Sequence, residues 1–244
     1  MTDGAAEART AQIAAALGEV RARLSQACVD AGRDPAGVQL LPVTKFFPEA
    51  DARILYGLGC REFGESREQE ATAKATALAD LDEVRWHMIG SLQRNKARAV
   101  ARWAHAVHSV DSARLVDALS KASVEALADG ARTEPLRVLL QVSLDADPIR
   151  GGIPPTELPA LAGRASVAAG LELAGLMAVP PLGVDPDAAF ATLAELHRAL
   201  LLEHPDATML SAGMTGDLES AVRHGSTCVR VGTALLGSRP ITSD

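Results

Sequence analysis

Aromatic residues, cysteines and positive charge are all scarce in this sequence. Phe, Trp and Tyr make up 3% of the 244 residues, and Tyr56 is the one tyrosine. The 24 basic residues are outnumbered by 31 acidic ones, so the net charge is −7. This balance argues against a general binding surface for nucleic acid or anionic membranes. The cysteines are Cys28, Cys60 and Cys228, whose number and wide spacing indicate reduced thiols and argue against a disulfide framework or a metal cluster.

Long apolar runs and a secretion signal are missing as well. No stretch approaches the length of a membrane span. Residues 1–7 have neither the basic region nor the apolar region that begins a signal peptide. Apolar residues at 48% and charged residues at 23% are typical of a globular protein. We therefore expect a cytoplasmic protein with no membrane segment.

Strand and helix patterns alternate along the chain. After a long helix over residues 5–31, eight apolar segments are each followed by a helical one. Strict alternation implies a parallel sheet, and eight units in about 200 residues match the (β/α)₈ TIM barrel. We predict one such barrel over residues 1–244, with an extra N-terminal helix; a doubly wound open sheet is the alternative. The predicted strands cover residues 40–45, 60–63, 84–89, 106–110, 136–144, 171–179, 208–210 and 227–231.

The first predicted strand ends at Lys45. In α/β folds the chemistry lies at the carboxyl ends of the strands, which is where this lysine falls. A mostly apolar site disfavours the charged form of an amine, and the neutral form attacks carbonyl carbon. The alternative is a lysine that extends from a strand end into solvent.

Two glycine loops follow the last two strands. The segment 211–217 carries Gly213 and Gly216, and Gly232 and Thr233 follow the eighth strand. Glycines let backbone amides approach a ligand, and the loops after strands seven and eight of a TIM barrel often hold phosphate. Each loop alone is typical of an ordinary turn. Their joint position predicts a phosphate site.

A reactive lysine on the first strand and a phosphate site after the seventh and eighth strands suggest pyridoxal 5′-phosphate (PLP), whose aldehyde would bond Lys45 as an imine. Arg230 lies at the end of strand eight, two residues before Gly232. A permanent cation facing the pyridine nitrogen would oppose ring protonation and weaken the ring as an electron sink. The alternative for Arg230 is a salt-bridged arginine of the barrel.

The histidines point less clearly to a functional site than Lys45 and the glycine loops do. His87 belongs to a buried strand and could line the cofactor, or it could be a hydrogen-bonded core residue. His105 and His108 are three apart on a strand, so we expect them to face opposite sides and not to share a metal.

Several segments, in order along nearly the whole chain, resemble the PLP homeostasis protein family, small single-barrel relatives of the alanine racemase N-terminal domain. The stretch from His87 to Lys96 is the most specific. The matching segments are 42–45 (PVTK), 63–65 (FGE), 86–96 (WHMIGSLQRNK), 175–178 (GLMA), 211–214 (SAGM) and 229–234 (VRVGTA).

The resemblance implies roles for particular residues. Lys45 is the expected imine lysine, and Arg230 is expected near the pyridine nitrogen. Ser66 stands where the family usually has Asn; serine can also form a hydrogen bond, but its side chain has a shorter reach toward the pyridoxal hydroxyl. The other residues expected at the cofactor are Val43, His87 and Ile89 and, around the phosphate, Ser211, Gly213, Met214, Gly232 and Thr233.

The function implied by the resemblance is binding and buffering of PLP, without established turnover. Racemases of this fold use a tyrosine from a second domain as one base; here Tyr56 is predicted outside the barrel and the chain ends soon after the barrel. The alternatives are a racemase-like PLP enzyme and a cofactor-free Schiff-base aldolase. We expect a monomer or weak dimer, with PLP-dependent apo-enzymes as candidate partners.

Overall fold

The computed structural model describes residues 3–145, 151–181 and 183–238. Eight parallel strands form one sheet in the order β1-β8-β7-β6-β5-β4-β3-β2. The two end strands meet where the Thr44 amide donates a hydrogen bond to the Gly64 carbonyl oxygen at 3.0 Å, beside a bridge between Val43 and Gly64. The predicted (β/α)₈ barrel with an N-terminal helix is therefore confirmed. The strands are β1 Gln39–Pro42, β2 Glu62–Glu65, β3 Arg85–Met88, β4 Ala104–Val110, β5 Leu136–Gln141, β6 Leu171–Met177, β7 Met209–Ser211 and β8 Cys228–Val231.

Helices follow the strands around the outside of the barrel. None in the described ranges is long and apolar enough to cross a membrane. The helices are α1 Asp3–Asp30, α2 Glu49–Gly57, α3 Glu68–Ala77, α4 Ala97–Trp103, α5 Ala113–Ala128, α6 Leu158–Ser166, α7 Pro186–Glu203, α8 Leu218–Arg223 and α9 Thr233–Leu236.

The apolar core is divided by the sheet. Two large clusters lie between strands and helices, one of them sealed by α1 through buried residues such as Ile13, Leu17 and Cys28. A small cluster that includes Leu41, Leu139 and Met177 lies in the barrel interior. Burying these side chains stabilises the barrel by roughly 1.5–3 kcal/mol for each large one. The remaining interior space is occupied by polar side chains, which makes the interior the chemically distinctive part of the fold.

Strand ends differ modestly from prediction. β1 ends at Pro42, so Lys45 lies in the turn after the strand and not on it. β2 begins at Glu62 and includes Glu65, which the sequence pattern had left in the following loop. Both changes bring polar side chains to the rim of the barrel.

Candidate functional site

Lys45 lies at the carboxyl-terminal rim of the barrel, between β2 and β8. The amide of Val43 donates to the Val231 carbonyl oxygen at 2.8 Å, and the next residue, Thr44, bonds to Gly64. Lys45 is half-buried, and its Nζ lies 5.8 Å from the centroid of the Phe46 ring. The lysine therefore projects from a segment that both neighbouring strands hold.

Phe46, directly after Lys45, has a left-handed backbone with φ of 69°. This conformation is unfavourable for a bulky residue, so the surroundings must hold it. The Phe46 amide donates to Glu70 Oε1 at 2.5 Å, and the Arg67 guanidinium lies 4.8 Å from the centre of the Phe46 ring. Side chains at and just before the start of α3 thus fix the turn that carries the lysine.

A buried ammonium group lies beneath this turn. Lys74 Nζ donates to the Thr44 carbonyl oxygen at 2.6 Å, to Glu65 Oε1 at 2.8 Å and to Glu70 Oε1 at 3.0 Å. Thr44 Oγ1 also donates to Glu65 Oε1, at 2.6 Å. Burial raises the pKa of Glu65, and the nearby Lys74 opposes that rise. The second carboxylate oxygen, Glu65 Oε2, is buried and has no hydrogen-bond partner among the described residues.

Sequence reasoning missed this Lys74 cluster. The four-residue spacing of Glu70 and Lys74 was a visible signal for a helical ion pair. Glu65 came from a different segment, and nothing in the pattern placed it within reach of Lys74.

The loop after β7 packs tightly against α8. Gly213 has φ of 90°, and a Cβ there would lie 2.5 Å from the Ala221 side chain, so only glycine fits. Its carbonyl oxygen accepts from the Arg230 amide at 2.9 Å, which joins this loop to β8. Met214 is exposed, and its amide donates to Asp217 Oδ1 at 2.5 Å. The Met214 amide is thus engaged with a carboxylate.

Gly232 and Thr233 lie beside the lysine segment. A Cβ on Gly232 would approach the Val43 carbonyl oxygen to 3.3 Å, so glycine allows the loop after β8 to lie close to the chain leading to Lys45. Thr233 is exposed at the first position of α9. The structure therefore brings Lys45, Gly232 and Thr233 to one rim, as the sequence predicted.

Arg230 is a buried cation in the barrel interior. It is 5% exposed; Nη1 donates to Ser211 Oγ at 2.7 Å and Nη2 to the Ala178 carbonyl oxygen at 3.1 Å. Burial lowers its pKa. No carboxylate forms a salt bridge with Arg230 within the described part of the chain. The alternative of a salt-bridged arginine therefore finds no support there.

Two histidines continue inward from Ser211. His108 Nδ1 lies 2.9 Å from Ser211 Oγ, and His108 Nε2 lies 2.9 Å from His87 Nδ1. His87 Nε2 lies 2.8 Å from Glu62 Oε2. Both ring nitrogens of His87 are therefore engaged within the barrel. The Ser211 hydroxyl is likewise committed to Arg230 and His108.

The expected opposite orientation of His105 and His108 is wrong. The ring centroids of His105 and His108 lie 5.5 Å and 5.1 Å from that of His87. The β3–β4 register jumps from Trp86 opposite Ala104 to His87 opposite Ala106, so His105 is an extra residue in the ladder. Such a bulge redirects a side chain and breaks strict alternation. The described residues include no group of three or more His, Cys, Asp or Glu that could hold a metal ion.

Ser66 and Ile89 lie where β2 and β3 end. The Ile89 amide donates to the Glu65 carbonyl oxygen at 2.8 Å. A Cβ on Gly90 would lie 2.2 Å from the Ser66 carbonyl oxygen, so the two segments touch through their backbones. Both side chains are partly buried at this edge of the rim.

A family model, a curated relative and a solved structure all relate the chain to the same group of proteins. Residues 22–240 match the family model described as the alanine racemase N-terminal domain. The pyridoxal phosphate homeostasis protein of Mycobacterium tuberculosis H37Rv is 51% identical over an alignment that covers 96% of each chain. PipY of Synechococcus elongatus, solved with PLP bound, is 36% identical, with a TM-score of 0.80 over 93% of this chain and 100% of PipY.

A more distant structural relative shares the barrel. D-threonine aldolase from Filomicrobium marinum aligns with a TM-score of 0.69 over 92% of this chain and 60% of its own, at 18% identity. That likeness concerns the fold alone. From the family-model match and the identity to full-length relatives, the chain belongs to the alanine racemase N-terminal domain family and, within it, to the pyridoxal phosphate homeostasis proteins.

Proposed function

We propose that this protein binds PLP covalently through Lys45 and serves in PLP homeostasis. The observation that carries the proposal is the convergence of an amine, a buried guanidinium and two glycine loops on one end of the barrel. Val43 links β1 to β8, and the Arg230 amide links β8 to the loop of Gly213. The homeostasis proteins named above and the PLP-bound PipY structure support it.

The residues present fit this cofactor. Lys45 supplies a primary amine for its aldehyde, and Gly232 lies so close to Val43 that even a Cβ there would be a tight contact, 3.3 Å from the Val43 carbonyl oxygen. Gly232 and Thr233 open α9, where backbone amides have no intrahelical partner and can donate to a phosphate. Bound PLP would supply an electrophilic carbonyl and an electron-withdrawing ring. Met214 joins the phosphate site only if its amide leaves the Asp217 carboxylate.

The other residues expected at the cofactor would position it or shape its site. Arg230 presents donors only, because a guanidinium carries no acceptor, and it would therefore leave the pyridine nitrogen unprotonated. Ser211 holds Arg230 in place, and His87 lies beyond Ser211 and His108 in the barrel interior. Val43, Ile89 and Ser66 shape the rim.

A carrier function is favoured over a racemase because of the electrostatics around Arg230. A ring that stays unprotonated stabilises a carbanion poorly. Tyr56 lies on α2 with the Arg61 guanidinium 3.9 Å from the centre of its ring. This places the tyrosine on a helix outside the barrel. The racemase-like enzyme and the cofactor-free aldolase are the rival functions.

We further infer a single domain over residues 1–244, a cytoplasmic location and a monomeric or weakly dimeric state, with PLP-dependent apo-enzymes as recipients of the cofactor. The family match over 22–240 supports one domain. The three cysteines are buried free thiols, which suits a reducing compartment.

Absorbance titration with PLP tests the function. The wild-type protein should develop the visible absorption of a protonated Schiff base, and Lys45→Ala should not. Lys121→Ala, on the exposed side of α5, is the matched control and should behave as wild type. A cofactor-free aldolase would leave the wild-type spectrum unchanged, and that result would contradict the proposal.

A further inference from the structure

A continuous line of hydrogen bonds crosses the barrel interior. It runs from Arg230 through Ser211, His108 and His87 to Glu62, with donor–acceptor distances of 2.7, 2.9, 2.9 and 2.8 Å in that order. We call these five residues the interior chain. Ser211 ends β7 at the rim, whereas Glu62 begins β2 at the opposite end of the barrel.

The far end of the interior chain is open to the surface. The Glu62 side chain is 26% exposed and also accepts a hydrogen bond from Gln39 Nε2. Gln39 and Glu62 line a cleft of about 400 Å³ that Arg21, Cys60 and Arg61 also border. The interior chain therefore joins the buried cation of the proposed cofactor site to a carboxylate beside solvent.

Chemistry fixes the direction of the hydrogen bonds at both ends. Arg230 can only donate, so Ser211 Oγ accepts from it. At the other end, burial opposes ionisation of Glu62, but the hydrogen bond with His87, the electrostatic attraction of the same ring and the hydrogen bond from Gln39 outweigh burial and lower its pKa to about 2. An ionised carboxylate can only accept, so His87 donates from Nε2.

The tautomers between the ends follow from these assignments. Burial first, and then the neighbouring His87 and Arg230, lower the pKa of His108 well below its usual value, so His108 is neutral. If His87 is neutral, its Nδ1 must accept from His108 Nε2, and His108 Nδ1 must then accept from the Ser211 hydroxyl. Every donor then points from Arg230 toward Glu62. A protonated His87 would reverse the two bonds that His108 makes and release the Ser211 hydrogen.

Other charged groups near the two histidines do not interrupt this line. Arg85 lies 3.5 Å from Glu62 at the exposed end, and Arg137 pairs with Glu172 at 3.0 Å. Burial lowers the pKa of His105 to about 4, so its ring is neutral near pH 7. Cys228 lies beside Ser211, and burial raises its pKa to about 12.

We propose that Glu62, His87 and His108 are positioning residues that orient the Ser211 hydroxyl and, through it, Arg230 at the cofactor site. Aligned donors polarise one another, so the carboxylate at the far end strengthens the bond between Arg230 and Ser211. A substitution at Glu62 should therefore weaken the hydrogen bond between Arg230 and Ser211 at the opposite end of the barrel. The consequence for the cofactor rests on the proposed function; the hydrogen-bond direction does not.

Nitrogen-15 NMR of the histidines in the cofactor-free protein tests the direction. At pH 7 we expect His108 to carry its proton on Nε2, and Glu62→Gln to redistribute the His108 tautomers although the two residues do not touch. Glu172→Gln removes a carboxylate from the same end of the barrel, outside the interior chain, and should leave His108 unchanged. A proton on His108 Nδ1, or an identical His108 spectrum in Glu62→Gln, would overturn the proposal.

PLP affinity gives the second readout. Glu62→Gln should weaken binding roughly three- to tenfold, the range of one altered hydrogen bond. His108→Gln keeps a donor for His87 and breaks the contact with Ser211, so adding Glu62→Gln to it should cause no further loss. If the losses of PLP affinity in the two single variants multiply in the double variant, the proposal is overturned. A wild-type protein that binds no PLP would instead refute the proposed function, and the NMR test of the hydrogen-bond direction would remain valid. If Glu62→Gln fails to fold, His87→Gln replaces it in both measurements.

Discussion

The ammonium nitrogen of Lys74 lies 2.6 Å from the main-chain carbonyl oxygen of Thr44, the residue before Lys45. Lys74 also neutralises Glu65 and Glu70, so one buried cation ties α3 and β2 to the turn that presents the proposed cofactor lysine. The left-handed Phe46 follows in the same turn and bonds to the same Glu70 oxygen as Lys74. The orientation of Lys45 thus depends on charges that the cofactor need not contact.

Lys74→Met should destabilise the protein by about 3–5 kcal/mol, because it leaves the buried Glu65 and the partly buried Glu70 without their cation. The change in the free energy of unfolding can be measured by urea titration. Lys121→Met is the control, with an expected change within about 0.5 kcal/mol for an exposed residue.

The double variant Lys74→Met with Glu65→Gln should recover part of that loss, since the most buried unpaired charge is removed. A double variant less stable than Lys74→Met alone would contradict the assignment of Glu65 as the main partner of Lys74.

Acid should weaken the wild-type fold through Glu62. Its pKa falls from 4.5 to about 2 on folding, so its contribution is complete above the unfolded value and is lost as the pH falls toward 2. The difference corresponds to about 3 kcal/mol. Urea titrations at pH 7 and pH 3 should therefore show a smaller acid-induced loss in Glu62→Gln than in wild type, whereas equal losses would count against an ionised Glu62 in the folded state.

Gly232→Val should weaken PLP binding at least tenfold, because any Cβ there lies 3.3 Å from the Val43 carbonyl oxygen and a branched side chain would push β8 away from the lysine segment. Gly18→Val, on the exposed face of α1 with open space around it, should bind PLP as wild type does. Equal affinities for the two variants would place the phosphate site elsewhere.

Racemisation of amino acids should be slow or absent. Arg230 is buried next to the proposed ring site, and a guanidinium there opposes protonation of the ring nitrogen. Proton exchange in heavy water, followed by chiral analysis, separates slow exchange from inversion. Turnover above about 1 s⁻¹, within the usual range of enzymes, would contradict a carrier function.

Sequence reasoning recovered the features that depend on local pattern. The β/α alternation predicted the barrel, and the ends of the first, seventh and eighth strands predicted which residues meet at its rim. Lys45 and Gly232 lie there because parallel strands place their carboxyl ends together.

Features that depend on how the strands are aligned with one another could not be predicted from local sequence patterns. The bulge at His105 is an insertion in the β3–β4 ladder, which strict alternation cannot express. The interior chain joins residues of β2, β3, β4, β7 and β8. The sequence shows each of these polar residues separately, but it does not show that they contact one another. Ser211 was expected around the phosphate from the position of its loop, and its contacts with Arg230 and His108 through the side-chain hydroxyl were not foreseen.

Covalent attachment at Lys45 is the central claim, and the chain offers few competing amines. Besides Lys45 it has three lysines: Lys74 is buried in its ion pairs, Lys96 Nζ lies 3.1 Å from Glu68 Oε2, and Lys121 is exposed on α5. Borohydride reduction of the PLP-loaded protein, followed by peptide mass spectrometry, measures which lysine carries the pyridoxyl group. We predict a single modified peptide, containing Lys45; modification of Lys74, Lys96 or Lys121 with Lys45 untouched would contradict the account.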